Sequence, residues 1–384
     1  MNIAIMSETF GLGGAQRAAL LLGENLMNEG HRVIFFEIVT RHKDFFEPKA
    51  EVVKIRIDKF GSDDFVPYLQ YFRQAIRIRK EKSKHKIDVC ISFMELCNLL
   101  NVMSRYNEKV IVSCRTVLSI RKELKGFEFE KKVIRHFYNK AYMVVSVCEA
   151  TKSDLISNYD VLERKIKVIP NPAVIRNATD IDEWEYGQKA IVCVGRHTPV
   201  KQFDRVIKAF KYVAERSDDA RLLFVGDGEI RGYLEFVARK MGVDQKVIFI
   251  GASNHVGYYL SNARAFVASS YVEGFPNAMV EAMAYGVPVI TTDSPGGCRE
   301  IVGRKKESAT IQYCEYGIVV PYMVGKASRR ILLDEHEEEL GKAMLGILED
   351  DSLYFHYRKK SFERALYYST DRLMKIWNSI IESE

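Results

Sequence analysis

Arg264 to Thr292 reads RAFVASSYVEGFPNAMVEAMAYGVPVITT, and its succession of textures decides the fold class. Ala265-Phe266-Val267-Ala268 is an apolar run of the length of a buried strand. A polar loop, Ser269 to Glu273, leads into Gly274-Phe275-Pro276-Asn277. From Asn277 to Ala284 good helix formers predominate, and Gly286 suits the stop that follows. A second apolar run, Val287 to Thr292, begins the next strand. The result is one strand-loop-helix-strand unit, and sheets built of such units bind ligands at the carboxyl ends of their strands.

Two carboxylates stand eight residues apart, Glu273 in the loop and Glu281 about one turn inside the helix. Both are placed to accept hydrogen bonds from hydroxyls of one long polar ligand. Between them a helix start offers free backbone N–H groups and the positive end of a dipole, which suits a phosphate. Hydroxyls flanking a phosphate describe a nucleotide sugar. An isolated helical glutamate is ordinarily solvated surface. In an alanine-rich, otherwise apolar helix that bland reading fits less well.

The segment EGFPNAMVEAMAYGVPVITT resembles the E-x7-E element of the retaining glycosyltransferases of family 4, enzymes with two Rossmann-like domains. The resemblance implies that Glu273 holds the donor sugar by its hydroxyls and Glu281 the ribose. Gly274, Phe275, Pro276 and Asn277 then line the donor's diphosphate.

Composition agrees with a soluble globular chain of two domains. It has 384 residues, 47% hydrophobic and 28% charged, with no run of eighteen apolar residues. The N-terminus, MNIAIMSETFG, lacks the basic-then-apolar pattern of a secretory signal. Seven scattered cysteines without metal-type spacing read as reduced core residues of a cytosolic protein. The net charge of +6 is unevenly shared: residues 1–180 hold 30 Lys+Arg against 22 Asp+Glu, a balance of +8, leaving 27 against 29 in the remainder. The partner of the basic half is expected to be anionic, and nothing points to nucleic acid.

In that half, the strand Asn2 to Met6 leads into SETFGLGGAQR, where Gly11, Gly13 and Gly14 turn the backbone before a helix from about Ala15 to Asn28. The dinucleotide fingerprint needs a third glycine where Gln16 stands, and Glu37 at the end of the next strand, Arg32 to Val39, imitates the ribose acid only in part. A nicotinamide oxidoreductase stays open as a minor alternative. By the family resemblance, Gly13, Gly14 and Gln16 line the substrate cleft. Strand candidates Asp88 to Phe93 and Lys109 to Ser113 follow, each with a polar residue just beyond: Glu95, suited to acceptor hydroxyls, and Arg115, suited to a phosphate or acceptor oxygen. Many family members carry a histidine at the latter place. Ser113-Cys114-Arg115 resembles instead a Ser-x-Arg found in a subset of related sugar transferases. Residues 65–86 and 120–140 mix aromatics with dense basic runs. On a helix Tyr68, Phe72, Ile76 and Arg79 share one face and Arg73, Arg77, Lys80 and Lys84 another. Surface helices with core-facing aromatics account for both stretches, and so does adhesion to anionic lipid headgroups.

Pro170-Asn171-Pro172 closes the first domain and a polar linker follows. A second strand-helix series opens at Ala190. Gly195-Arg196 ends its first strand and Lys201 stands five residues later, a pair able to straddle a diphosphate. This resembles the family's G-R-x4-K element, whose role of stabilising the leaving group passes to Arg196 and Lys201. His197 reads as an ordinary loop residue. Lys246 to Ile250 with Gly251 matches the strand before the base-binding loop.

The pattern predicts an α/β protein with two Rossmann-like domains facing across a cleft, the arrangement called GT-B. The expected boundaries are 1–171 for an acceptor-binding domain, 172–188 for a linker, 189–365 for a nucleotide-sugar domain and 366–384 for a helix returning to the first. The expected activity is transfer of a sugar from a nucleotide diphosphate donor, UDP-linked hexose or N-acetylhexosamine, to a hydroxyl of a glycan or lipid-linked acceptor. Configuration is retained, and neither metal nor cofactor is expected. The expected setting is cytoplasmic, peripheral to the inner face of the membrane. A non-catalytic nucleotide-sugar binder is the other open alternative.

Overall fold

The computed structural model describes residues 1–10, 13–38, 50–55, 68–121, 127–173, 186–303, 310–323 and 333–383. Gly11, Val39, residues 65–67 and 122–126, and residues 174–185 of the expected linker lie outside the described residues. The chain forms two compact units, Met1–Asn171 with Asp371–Glu384, and Pro172–Thr370.

In unit 1 strands and helices alternate: β1 (Asn2–Ser7), α1 (Gly14–Asn28), β2 (Arg32–Glu37), β3 (Glu51–Lys54), α2 (Tyr68–Lys84), β4 (Val89–Phe93), α3 (Glu95–Met103), β5 (Lys109–Cys114), α4 (Phe127–Tyr138), β6 (Met143–Ser146), α5 (Glu149–Tyr159) and β7 (Ile166–Val168). Among the described residues the sheet is wholly parallel, in the order β3-β2-β1-β4-β5-β6-β7. Such a sheet is covered on both faces, which is why its central strands are near-continuous apolar runs. Ile3 and Ile5 of β1 point into one core with α1, while Ala4 and Met6 point into another with α2 and α3. The first core also takes Leu373, Met374, Trp377, Ile380 and Ile381 from the C-terminal helix, Thr370–Ile381. Each such side chain contributes about 1.5–3 kcal/mol when fully buried. The end of the chain is thus part of the first unit's core.

Unit 2 repeats the plan with β8 (Ala190–Val194), α6 (Phe203–Ala214), β9 (Arg221–Val225), α7 (Arg231–Met241), β10 (Val247–Gly251), α8 (Val256–Ser261), β11 (Ala265–Ala268), α9 (Asn277–Ala284), β12 (Val289–Thr292), α10 (Cys298–Val302), β13 (Gln312–Tyr313), β14 (Ile318–Val320), α11 (Glu335–Glu349) and α12 (Asp351–Tyr367). Its order is β10-β9-β8-β11-β12-β14-β13, with the short β13 antiparallel to β14, a pairing the sequence reading did not contain. Both units therefore share the doubly wound arrangement in which the strand order reverses beside the first strand. The reversal falls between β1 and β4 in unit 1 and between β8 and β11 in unit 2.

Helix α2 corrects one expectation. Phe72 and Ile76 do not face the core: they are 59% and 43% exposed, beside exposed Arg73, Arg77, Arg79 and Lys80. The inner face is Gln74, Ala75, Ile78, Lys82 and His85. What holds that phase is a buried ion pair, Lys82 Nζ to Glu108 Oε1 at 2.6 Å, with both side chains 0% exposed. Lys82 also donates to the Asn101 carbonyl and side-chain oxygens at 3.0 and 2.7 Å, and Glu108 Oε2 accepts from the Tyr106 N–H at 2.8 Å. Its remaining capacity being used, the pair is tolerable in an apolar setting. Removing one member leaves a buried charge alone.

Lys82→Met is accordingly expected to destabilise unit 1 by about 3–5 kcal/mol. The double variant Lys82→Met/Glu108→Leu is expected to recover most of that loss, read as the urea midpoint of unit 1.

Candidate functional site

The carboxyl ends of β8 and β11 flank the order reversal of unit 2, and the loops after them carry the residues singled out in the sequence. Beyond β8 the chain passes Gly195, Arg196 and His197 into a single tight turn, Pro199–Lys201. Beyond β11 it passes Ser269 to Glu273 before α9. Hydrogen bonds to main-chain carbonyls join the two loops: the Tyr271 N–H donates to the Val200 carbonyl at 2.7 Å, and the Ser269 hydroxyl donates to the Lys201 carbonyl at 2.7 Å. The Lys201 ammonium consequently meets the Glu273 carboxylate directly. The Ser270 hydroxyl donates to the same carboxylate oxygen at 2.7 Å. Lys201 and Glu273 side chains are 27% and 17% exposed, so the pair is partly desolvated yet reachable.

A third loop fixes the backbone of Glu273. Its N–H donates to the Pro295 carbonyl at 3.2 Å, and its carbonyl accepts from the Gly297 N–H at 3.3 Å. Between them Gly296 has φ +116°, and a Cβ there would lie 1.5 Å from the Glu273 carbonyl oxygen. Only glycine permits both that conformation and that approach.

Gly274, Phe275 and Pro276 are buried and lead into α9, which begins at Asn277 with no side chain capping its first turn. The Phe275 ring packs on Tyr368 with centroids 5.4 Å apart. Glu281 lies in α9 and is only 8% exposed, which removes the reading of it as solvated surface. Gly251 ends β10, its carbonyl accepting from the Gly226 N–H at 2.8 Å. Arg196 is exposed and, among the described residues, makes no ion pair, so Lys201 and Glu273 are brought together without it.

His197 is not an ordinary loop residue. It is 0% exposed, ringed by Phe203, Phe224 and Phe249 at centroid distances of 5.7, 6.1 and 6.0 Å. Burial lowers its pKa, so the ring is neutral at pH 7. Its main chain ties the loop after β8 to the one after β9, donating to the Asp227 carbonyl at 2.9 Å and accepting from the Ile230 N–H at 3.2 Å. A histidine between Arg and Thr carries no sequence signal of this. Ser269, Ser270 and Gly296 were likewise unmarked, because serines in a polar loop look generic and a Pro-Gly-Gly turn does not announce its partner.

In unit 1 the residues expected at the site also lie beyond strand ends. Gly13 precedes α1, whose first residue Gly14 is exposed, and the Gln16 side chain folds back over Gly13, its Oε1 2.1 Å from where a Cβ would be. Glu95 is the first residue of α3. Met94 before it has φ +76° and ψ 155°, a region that costs a bulky residue about 1–3 kcal/mol. Arg115 stands just past β5. Among the described residues no group of three His, Cys, Asp or Glu is arranged to hold a metal ion. One Asp-x-Asp spacing exists, Asp180-Ile181-Asp182, and it lies outside the described residues.

A family model described as Glycosyltransferase Family 4 matches residues 12–175, and one described as Glycosyl transferases group 1 matches residues 176–364. An uncharacterized glycosyltransferase of Methanocaldococcus jannaschii is 27% identical over 89% of this chain and 92% of its own length. The N-acetylgalactosamine-N,N'-diacetylbacillosaminyl-diphospho-undecaprenol 4-alpha-N-acetylgalactosaminyltransferase of Campylobacter jejuni is 23% identical over 95% of this chain and 94% of its own. Among solved structures, Anabaena HepE in complex with UDP superposes with a TM-score of 0.77 at 15% identity, covering all of both chains. That likeness establishes the fold as the GT-B type.

Gly296→Ala is expected to displace the Glu273 backbone, since neither the left-handed φ nor the contact can be kept. The expected cost is about 1–3 kcal/mol, measured by thermal unfolding.

Proposed function

Since the chain belongs to the glycosyltransferases, family 4 over its N-terminal half and group 1 over its C-terminal half, we propose that it transfers a sugar from a nucleotide diphosphate donor to an acceptor hydroxyl with retention of configuration. The observation that carries the reading is the Lys201–Glu273 pair at the strand-order reversal of unit 2, next to the uncapped start of α9. The chemical difficulty is departure of a diphosphate anion. Cations and N–H dipoles fixed in advance stabilise that charge as it develops, at no cost of reorganisation. Lys201 and the exposed Arg196 supply the cations, and the positive end of α9 the dipole. Glu273 accepts hydrogen bonds from the sugar hydroxyls with its second oxygen, while Ser270 and Lys201 hold the first. Glu281 takes the ribose, and Gly251 lies where backbone groups read the base. Attack comes from the side of the leaving phosphate, which guides the incoming hydroxyl, without a metal.

The donor favoured is a UDP-linked hexose or N-acetylhexosamine, in keeping with the UDP bound by HepE and with the sugar moved by the Campylobacter relative. That relative's diphospho-undecaprenol substrate supports a lipid-linked glycan as acceptor. A lipid-linked acceptor requires approach to a bilayer. Helix α2 has the composition for this, with exposed Phe72 and Ile76 among Arg73, Arg77, Arg79 and Lys80. Each basic side chain near an anionic surface contributes about 1 kcal/mol. No helix among the described residues is long and apolar enough to cross a membrane. The chain works at the inner face as a peripheral protein.

A thermal-shift screen across UDP-, GDP- and ADP-sugars is expected to single out a UDP-sugar. With that donor and a lipid-linked acceptor, Lys201→Ala and Glu273→Ala are each expected to lower turnover by about 10²–10³-fold with the fold intact. Full turnover in both would remove the assignment. For the membrane, Arg73→Glu/Arg77→Glu/Lys80→Glu is expected to weaken sedimentation with anionic vesicles by about a hundredfold. Binding to purely zwitterionic vesicles is expected to be weak for both forms.

A further inference from the structure

Arg115 is a half-buried cation in the wrong company. Its Nη1 donates to the Ser113 hydroxyl at 3.0 Å and its Nη2 to the Asn171 side-chain oxygen, while the guanidinium lies 5.2 Å from the centroid of the Phe93 ring. Among the described residues those partners are all neutral. Burial pulls the guanidinium down to about 10, so it is still charged at neutral pH. A desolvated charge with no counter-charge is costly unless something supplies one.

The surroundings hold Arg115 still. Asn98, 0% exposed, clamps Ser113 from both sides: its Nδ2 donates to the Ser113 carbonyl at 3.0 Å and its Oδ1 accepts from the Ser113 N–H at 3.2 Å. On the far side, the Asp154 carboxylate accepts from the Leu118 and Ser119 N–H groups at 2.8 and 3.1 Å. The chain before and after Arg115 is thus fixed by buried side chains, the condition for a preorganised binding group.

We infer that Arg115 is the centre of a phosphate-class anion site on unit 1, and that its occupant is the phosphate attached to the acceptor sugar. The planar fork of a guanidinium matches phosphate in two-point contact, and the neutral hydrogen bonds to Ser113 and Asn171 orient the fork without cancelling its charge. The first half of the inference stands without sugar transfer; the second rests on the transferase reading above.

The test uses the full chain saturated with UDP, so that the cations of unit 2 are occupied, and titrates sodium pyrophosphate at constant ionic strength. One saturable event is expected. Arg115→Met should weaken it at least about tenfold and Arg115→Lys by less. No event, or an event unaltered in Arg115→Met, would overturn the site. A matching loss of UDP affinity in Arg115→Met would show that Arg115 holds the donor's diphosphate and would overturn the acceptor assignment. An equal response to sodium acetate would replace phosphate by carboxylate as the class. Should Arg115→Met not fold, Arg115→Lys decides: full pyrophosphate affinity there counts against two-point recognition and against the inference. In turnover, the expected signature is a raised acceptor KM with the donor KM unchanged. If pyrophosphate binds at Arg115 but no sugar is transferred, the site survives and the transferase reading fails.

Discussion

A parallel sheet whose strand order reverses must send the two chains on either side of the reversal to opposite faces. Their loops part at the carboxyl edge and leave a gap that no neighbouring connection fills. The Lys201–Glu273 pair and the glycine loop before α1 both sit at such gaps. In unit 2 the flanking strands are β8 and β11, and the gap collects Lys201 from one and Glu273 from the other. In unit 1 they are β1 and β4, and the residues around the gap are Gly13, Gln16 and the strained Met94-Glu95 turn. The chemistry is placed by topology first and by side chains second.

The Lys201–Glu273 contact is held by loops rather than by its own charge. Partly exposed ion pairs contribute little by themselves, about 0–1 kcal/mol. Here Ser269 and the Tyr271 N–H bind the two loops together, Ser270 steadies the carboxylate from within its own loop, and Gly296 lets a third loop press against the Glu273 carbonyl. An acid and a base kept side by side this way retain spare hydrogen-bonding capacity toward a ligand. The loop order that results is a property of three strand ends at once.

Much of this was legible in the chain. Apolar runs of strand length, broken by glycine and proline, marked β8, β11 and β12, and the Gly195-Arg196 to Lys201 spacing marked the turn. Buried Glu281 was legible too, because a carboxylate in an alanine-rich helix is out of keeping with solvent. Periodicity misled at α2. Its Phe72–Ile76 stripe has the spacing of a core face, while the true inner face includes Lys82 and His85, residues that read as solvated. A buried charge becomes visible only with its partner, and Glu108 lies twenty-six residues from Lys82 in the chain. His197 was hidden for a similar reason: its aromatic cage comes from three separate elements.

The Lys82–Glu108 pair has a mechanical corollary. Neither member can be exchanged alone without stranding its partner, so the rotation of α2 about its own axis is pinned by a contact that admits no single replacement. The outward half of the same helix carries no such tie. Its exposed charges can be replaced without turning the helix, so what anchors the element and what it shows to solvent are separate properties.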